Sequence, residues 1–176
     1  GPVGDAGDRP GRGALAARGF GPVVLAMVRP GIVYVSLNAW GLSGPWRDRR
    51  GYDTVVQSVN GMAHAFGGEA QPRTLPVAAQ DYIAGNLMAL GAMIALKRRA
   101  TEGGSWQVRV SLARAGDWIV RQGLLQPDQY SGRPEDLSPD HIGRLCREMD
   151  SPFGRIRYLA PAVQLSETPP YLARPP

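Results

Sequence analysis

The apolar positions of the chain alternate between short runs of strand character and longer stretches with helical spacing. Residues 32–37 form an almost continuous β-branched and apolar run, which is typical of a strand buried on both faces of a parallel sheet. Residues 106–112 alternate polar and apolar side chains and predict a second strand. Helical spacing predicts helices over 53–65 and 82–99. Strands separated by helices favour an α/β domain.

Shorter patterns predict further elements on either side of these four. The pattern predicts helical segments over 14–28, 113–122 and 141–149, a short strand or extended edge over 75–80, and a strand over 155–165. Pro76 argues against a central, hydrogen-bonded position for the 75–80 segment. Asp81 follows that segment directly and precedes the first turn of a helix that we expect to begin near Tyr82.

These elements predict four regions along the chain. Residues 1–13 are rich in Gly, Asp and Arg and form a flexible lead-in, and residues 14–122 form an α/β core. Residues 123–154 form a loop-rich connection with one short helix. Residues 155–176 form a final strand and an extended, Pro-rich tail.

Charge and cysteine content exclude several classes of function. The net charge is +5, but the basic residues are scattered in pairs and are not interleaved with aromatic residues, so no nucleic-acid partner is expected. A pocket for a phosphorylated cofactor explains the same excess of Arg and Lys. The single cysteine, Cys146, cannot form an internal disulfide. No paired Cys and His spacing of a metal site occurs, so we expect a cytoplasmic protein without a metal.

Membrane insertion is not expected either. The longest apolar stretch, residues 83–96, is interrupted by Asn86 and closed by Lys97, well short of the thickness of a bilayer. It is therefore expected to be a buried helix. The first residues do not have the basic start and apolar run of a signal peptide, and the start of the chain has the composition of an internal segment.

Several segments, taken in order, resemble the class III CoA-transferases, the family of formyl-CoA transferase and carnitine-CoA transferase. They are residues 29–36 (RPGIVYVS), 41–53 (GLSGPWRDRRGYD), 80–85 (QDYIAG), 96–104 (LKRRATEGG), 108–112 (VRVSL) and 163–170 (VQLSETPP). Together they cover most of residues 9–112 and 155–176. The resemblance implies a Rossmann-like CoA-transferase core.

Two departures from the family pattern imply that this core is incomplete. Members begin with a nucleotide-binding strand and helix that have no counterpart here, and their small helical domain does not fit into residues 113–154. Two interpretations stay open. The chain is a natural fragment or half of a tandem protein that a partner completes, or it is a degenerate copy that keeps the fold without turnover.

The resemblance implies a catalytic role for Asp81. In the family, an aspartate at the start of a helix attacks the acyl-CoA thioester, and the released CoA then converts the resulting anhydride into an aspartyl-CoA thioester. Asp81 matches that aspartate. The positive end of a helix favours an ionised carboxylate, which is the nucleophilic form. The alternative is that Asp81 is only an N-cap, which is a common role for Asp.

The same resemblance implies roles for three neighbouring residues. Tyr52 and Asp53 would line the acyl pocket next to Asp81 as further catalytic residues, and Arg50 would face the phosphates or the pantetheine arm of CoA. The alternative is that Tyr52 and Asp53 simply begin a helix. The racemase branch of the family has a histidine where this chain has Tyr52, and a tyrosine phenol is a poor proton shuttle at neutral pH.

The resemblance thus implies a transferase that moves CoA between an acyl-CoA donor and a carboxylic acid, with coenzyme A as part of its substrate. Class III members dimerise, so we expect a homodimer or a complex with a homologous chain. The principal alternative is a non-catalytic module that only pairs with such a chain. A weaker alternative is an acyl-CoA racemase relative. The acyl group is not evident from the sequence.

Overall fold

A computed structural model describes residues 15–132 and 136–172. The chain divides into two units, the first ending at Leu124 and the second beginning at Leu125. After a 3-10 turn at Ala16–Arg18, the first unit contains α1 (Pro22–Val28), β1 (Val33–Asn38), α2 (Asp53–Val59), α3 (Met62–Gly67), α4 (Ala79–Glu102), β2 (Trp106–Ser111) and α5 (Leu112–Arg121). The second unit contains α6 (Pro127–Tyr130), α7 (Pro139–Leu145), β3 (Cys146–Ser151) and β4 (Gly154–Leu159). The predicted mixture of helices and strands is confirmed.

The first unit is built around a parallel pair of strands. β1 pairs with β2 in a register that places Val33 opposite Trp106 and Asn38 opposite Ser111. Parallel neighbours need a crossover connection, and α4 lies on this connection and contacts both strands. Arg99, in the last turn of α4, donates from Nη1 to the carbonyl oxygen of Gly31 at 2.9 Å. The end of α4 therefore lies beside the start of β1, and its first turn lies toward the opposite edge of the sheet.

Small and apolar side chains form the core between the strands and the helices. The buried cluster consists of Ala39, Val56, Ala84, Leu112 and Ala115. Because most of these residues are alanines, the backbones of α2, α4 and α5 approach one another closely. Helix α5 is fixed at its start by Ser111, whose Oγ accepts a hydrogen bond from the backbone N–H of Arg114.

The predicted helix over 53–65 is divided into two in the structure. Gly61 adopts a left-handed conformation with φ +89°, which glycine adopts at little steric cost. The side-chain oxygen of Asn60 accepts a hydrogen bond from the backbone N–H of Met62, the first residue of α3. The break at Asn60 and Gly61 therefore separates α2 from α3.

Residues 75–80 do not form the predicted strand. The backbone N–H of Leu75 donates to Oε1 of Gln57 at 2.8 Å, and the carbonyl of Val77 accepts from Nε2 of the same side chain at 3.2 Å. A side chain of α2 therefore provides the hydrogen bonds that a neighbouring strand would have provided. The helix that follows begins at Ala79 instead of near Tyr82.

In the second unit, the predicted helix over 141–149 is wrong in its last residues. Helix α7 begins after Ser138, which caps it, and ends at Leu145, so Cys146 begins a strand. β3 pairs with β4 in an antiparallel hairpin, with Cys146 opposite Leu159. The pairing to β4 outweighs the local helical spacing. The strand predicted over 155–165 is present as β4 but ends at Leu159.

The longest helix, α4, does not have the properties of a membrane span. Within the ranges 15–132 and 136–172, no helix combines the length and the apolar composition that crossing a bilayer requires. Residues 83–96 were expected to form a buried helix, but this prediction is wrong for one face of α4, since Leu90, Met93 and Ile94 are 50%, 60% and 52% exposed.

Candidate functional site

The candidate site lies at the carboxyl edge of β1 and β2. In open α/β sheets, ligands bind outside the carboxyl ends of the strands. Because the last turn of α4 contacts the segment before β1, the antiparallel run of α4 brings its first turn, with Asp81, toward this edge. Helix α5 also begins here, where the backbone N–H of Ala113 donates to the carbonyl of Ala39 at 2.9 Å.

The loop after β1 is tied back onto the strand end. The side-chain oxygen of Asn38 accepts a hydrogen bond from the backbone N–H of Gly41 at 2.6 Å. The indole of Trp40 donates to the carbonyl of Arg50 at 3.2 Å. A Cβ at Gly51 would lie only 2.5 Å from the Cβ of Ala39, so only glycine fits there. These contacts fix the segment that leads into Tyr52 and α2.

Asp53 is a buried carboxylate shared between two helices. It is the first residue of α2 and is 5% exposed. Its Oδ2 accepts hydrogen bonds from the backbone N–H groups of Gln80 at 2.8 Å and Asp81 at 3.0 Å. Its Oδ1 accepts a hydrogen bond from Nε2 of Gln57. Three donors thus compensate the buried charge, and they bind α2 to the first turn of α4.

Two buried glutamines complete the polar cluster around Asp53. Gln57 and Gln80 are both fully buried. The amide of Gln80 is satisfied at both ends when its nitrogen donates to the carbonyl of Leu112 at 2.8 Å and its oxygen accepts from the backbone N–H of Gln57 at 3.1 Å. Gln80 therefore connects α4 with α2 and α5. We refer to Asp53, Gln57 and Gln80 as the polar cluster.

Asp81 is exposed, unlike its neighbours in the polar cluster. It is the third residue of α4 and lies within the first turn instead of before it, and the N-cap position is occupied by Ala78. The interpretation of Asp81 as an N-cap is therefore wrong. In the part of the chain that the structure describes, no hydrogen bond or ion pair involves the Asp81 carboxylate.

The structure brings the Tyr52–Asp53 segment next to Asp81. The hydrogen bond from the backbone N–H of Asp81 to Asp53 joins the two segments directly. Tyr52 is the N-cap residue of α2 and is 71% exposed, whereas Asp53 points into the buried polar cluster. Arg50 is exposed in the preceding loop. Asp81 and Tyr52 are therefore open to solvent on adjacent segments, and Asp53 is not.

A groove of about 570 Å³ lies over the carboxyl ends of the two strands. Its lining includes Asn38 and Ser111, the last residues of β1 and β2, together with Ser43, Leu87 and Arg114. Asp81 is not among its lining residues. In the described ranges, no group of three or more His, Cys, Asp or Glu side chains could hold a metal ion.

Sequence reasoning did not identify the roles of Gln57 and Gln80. Gln80 stands in the segment that carries the family resemblance. Gln57 stands four residues after Asp53 on a helix, and this i, i+4 spacing places the side chains of Asp53 and Gln57 within reach of each other. That spacing is a weak signal, since most glutamines on a helix are exposed. Their burial follows only from the packing of α2, α4 and α5.

Comparison with known proteins identifies the family. The model of CoA-transferase family III matches residues 10–144, which is more than half of the chain. The acetyl-coenzyme A transferase nodX of Hypoxylon pulicicidum is 34% identical over 116 residues, covering 62% of this chain and 20% of that protein. The human succinyl-CoA:glutarate CoA-transferase is 36% identical over 83 residues, covering 47% of this chain and 19% of that protein.

Solved structures have the same fold. The crystal structure of the protein Rv3272 of Mycobacterium tuberculosis aligns with a TM-score of 0.58 at 28% identity, covering 65% of this chain and 32% of that one. A CAIB/BAIF family protein from Brucella suis aligns with a TM-score of 0.57 and covers 80% of this chain and 38% of that one. At 23% identity, the second likeness concerns the fold alone.

The chain spans about a fifth of the length of the two transferases named above. It spans 30% of another relative, the succinyl-CoA–D-citramalate CoA-transferase of Chloroflexus aurantiacus. The matched region nevertheless contains β1, β2, the helices between them and every residue of the polar cluster. The resemblance is confirmed over residues 10–144, and the chain belongs to CoA-transferase family III.

Proposed function

We propose that this chain carries the acyl-accepting carboxylate of a CoA-transferase, and that this group is Asp81. The observation that carries the proposal is the contrast between two adjacent aspartates. Asp53 is buried and its hydrogen bonds are satisfied, whereas Asp81 is exposed and its carboxylate has no described partner. A nucleophile must have its attacking oxygen accessible and not engaged in structural hydrogen bonds.

The reaction proceeds through two covalent states of Asp81. A carboxylate oxygen attacks the thioester carbon of the donor, the carbon–sulfur bond breaks, and CoA leaves as a thiolate. The thiolate then attacks the Asp81 carbonyl of the mixed anhydride, which releases the donor acid and leaves an aspartyl-CoA thioester. The carboxylate of the acceptor acid then attacks the aspartyl-CoA thioester, which releases CoA as a thiolate and forms a second mixed anhydride. The thiolate attacks the acceptor carbonyl of this anhydride, which gives the new acyl-CoA and restores the Asp81 carboxylate. No net proton or redox change is required.

Tyr52 and Arg50 support this chemistry from the segment beside Asp81. Tyr52 directly precedes Asp53, which accepts a hydrogen bond from the backbone N–H of Asp81, and its phenol is exposed. Tyr52 is therefore suited to line the acyl side of the site. The guanidinium of Arg50 is a suitable partner for a phosphate of CoA. The names of two relatives pair succinyl-CoA with glutarate and succinyl-CoA with D-citramalate. An acyl-CoA with a small carboxylic acid is therefore the proposed substrate class.

A second candidate is a module that lacks turnover and pairs with a homologous chain. Two relatives from Chloroflexus aurantiacus are named as the alpha and beta subunits of a succinyl-CoA–L-malate CoA-transferase. These names favour an assembly in which another chain contributes to the site, as a homodimer or as a complex with a homologue.

Chemical trapping of the covalent intermediate distinguishes the two candidates. The protein is incubated with succinyl-CoA or acetyl-CoA, quenched with hydroxylamine, digested and analysed by peptide mass spectrometry. An activated carboxylate becomes a hydroxamate, and we expect this product at Asp81. The variant Asp81→Asn should lose the product, whereas Asp128→Asn, which alters an exposed aspartate of α6, should keep it. A hydroxamate at another residue, or none at all, would contradict catalysis through Asp81.

A further inference from the structure

The first turn of α4 is capped by a residue from a different helix. The first N–H groups of any α-helix have no partner within the helix. At α4 the N-cap residue is Ala78, which has no side chain able to accept a hydrogen bond. Asp53, 27 residues before Gln80 in the sequence, accepts from the N–H groups of Gln80 and Asp81 with a single oxygen. A carboxylate at this position also interacts favourably with the helix dipole.

The other oxygen of Asp53 is held by a side chain that has no freedom to turn. Nε2 of Gln57 donates to Asp53 and also to the carbonyl of Val77. Oε1 of Gln57 accepts from the backbone N–H of Leu75. Turning the amide over would break both contacts with the 75–77 segment. Gln57 therefore fixes the orientation of the Asp53 carboxylate, and Asp53 in turn fixes α4.

This arrangement has a direct consequence for Asp81. Its backbone N–H is held at 3.0 Å from Asp53, so the position and direction of the first turn of α4 are set by the polar cluster. Because Asp53 satisfies the capping donors, the Asp81 side chain is not needed as a cap. We infer that Asp53 is a positioning residue, which holds the Asp81 backbone and leaves the Asp81 carboxylate available to acyl-CoA. This inference rests on the proposed function for its chemical consequence, but its structural part does not.

The inference requires a carboxylate at position 53, and an amide should not replace it. Asparagine has the same shape but only one acceptor oxygen. In Asp53→Asn, that oxygen can face Gln57 or the N–H groups of α4, and the amide nitrogen must then face donors on the other side. A buried contact between two donors leaves both unsatisfied. We therefore expect the first turn of α4 to loosen while the rest of the helix stays formed.

Amide hydrogen exchange, resolved to single residues by NMR, tests the structural part. In the wild type, the amides of Gln80 and Asp81 should be protected although they lie in a first turn. In Asp53→Asn they should exchange at least tenfold faster, and the amides of α5 should not change. Asp117→Asn, which removes exposed ion pairs with Arg114 and Arg121, is the matched control and should leave Gln80 and Asp81 protected.

Two results would overturn the positioning role. One is a wild type in which the Gln80 and Asp81 amides exchange as fast as unstructured ones. The other is an Asp53→Asn variant whose exchange at these amides is unchanged. If Asp53→Asn does not fold, Gln57→Met replaces it, since this variant frees the carboxylate of Asp53 without removing it and should still accelerate exchange at both amides.

The chemical part uses the rate of hydroxamate formation at Asp81. Asp53→Asn should lower that rate at least tenfold at saturating acyl-CoA, while the acyl-CoA concentration that gives half of the maximal rate changes less than threefold. A change in that concentration alone would mean that Asp53 acts on substrate binding and would contradict positioning. If the wild type forms no hydroxamate at Asp81, the proposed function fails, and the exchange experiment still decides whether Asp53 positions α4.

Discussion

Buried side-chain amides determine how closely the helices of the first unit approach one another. Gln57 and Gln80 are fully buried, and each exchanges hydrogen bonds with the backbone of a neighbouring element. A buried polar group without a partner would cost about 1–3 kcal/mol. The backbone opposite these amides must therefore come close enough for hydrogen bonding, and a glycine of α5 allows it.

Gly116 is the residue that permits this approach. A Cβ at Gly116 would lie 1.9 Å from the side-chain amide of Asn60 and 2.7 Å from the side-chain amide of Gln80. We expect Gly116→Ala to lower the free energy of unfolding by about 1–3 kcal/mol, which is the usual cost of overpacking. Urea unfolding, followed by circular dichroism at a fixed protein concentration, measures this change.

Gly85→Ala is the control for Gly116→Ala. Gly85 lies within α4, is exposed, and would place its Cβ in open space. The higher helix propensity of alanine should raise the free energy of unfolding by about 0.5–1 kcal/mol. A Gly116→Ala variant as stable as Gly85→Ala would show that α5 does not pack against the amides as the structure has it.

At the residue scale, the roles predicted for Asp81, Tyr52 and Arg50 stay predictions, and the structure adds the surroundings of each side chain. Asp81 was identified from the segment around it, and its exposure is compatible with the role assigned to it. Asp53 was expected to line the acyl pocket, whereas the structure directs its carboxylate into the polar cluster. The partners of Asp53 come from α2 and α4, and no local pattern in the sequence brings these helices together.

At the scale of elements, helix α4 and strand β2 define how the crossover packs. Gly91 in α4 faces Val108 of β2, and a Cβ at Gly91 would lie 2.5 Å from Cγ1 of Val108. Valine is β-branched and has little freedom to move aside. The distance between α4 and the sheet is therefore shorter than a side chain larger than that of glycine at position 91 would allow.

Gly91→Ala should push α4 away from β2. We expect the free energy of unfolding to fall by about 1–2 kcal/mol, because overpacking outweighs the gain in helix propensity. Urea unfolding of Gly91→Ala, Val108→Ala and the double variant forms a double-mutant cycle. Since Val108→Ala removes the clashing methyl groups, the double variant should be more stable than the sum of the two single changes by about 0.5–3 kcal/mol. Additive effects would contradict the contact.

The elements that sequence predicted well are those whose apolar spacing agrees with their tertiary surroundings. β1, β2 and α4 have long and consistent patterns, and all three are present. Residues 146–149 were assigned to a helix, but they pair with β4. A hairpin partner lies outside the window that reveals helical spacing, and local propensity yields to such pairing. The division at Gly61 depends on one left-handed glycine, which spacing does not reveal.

At the scale of the whole molecule, the first unit leaves much apolar surface open. Among the residues described, the sheet of this unit contains only β1 and β2, so each strand has one unpaired edge. On α4, the side chains of Leu90, Met93 and Ile94 are 50%, 60% and 52% exposed. Leu37 of β1, predicted from its pattern to be buried, is 44% exposed. The strand and the helix are present, but the burial that their apolar patterns predicted is wrong for these side chains in the part of the chain that the structure describes.

Exposed strand edges and apolar helix faces are usually covered by association. We therefore expect that the protein does not persist as a monomer at low micromolar concentration and instead forms a homodimer or a complex with a homologous chain. Light scattering coupled to size exclusion should give a mass above the 18.9 kDa of one chain.

Substitution of the exposed face of α4 tests whether this surface drives the association. Leu90→Lys combined with Ile94→Glu places opposite charges four residues apart on a helix, which is compatible with helix formation, and removes two apolar side chains from the face. The doubly substituted protein should shift toward the mass of one chain, whereas Lys97→Gln, at an exposed polar position of the same helix, should not. A wild type that elutes as a single 18.9 kDa species and unfolds cooperatively would contradict the prediction, because such a monomer would be stable with its α4 face uncovered.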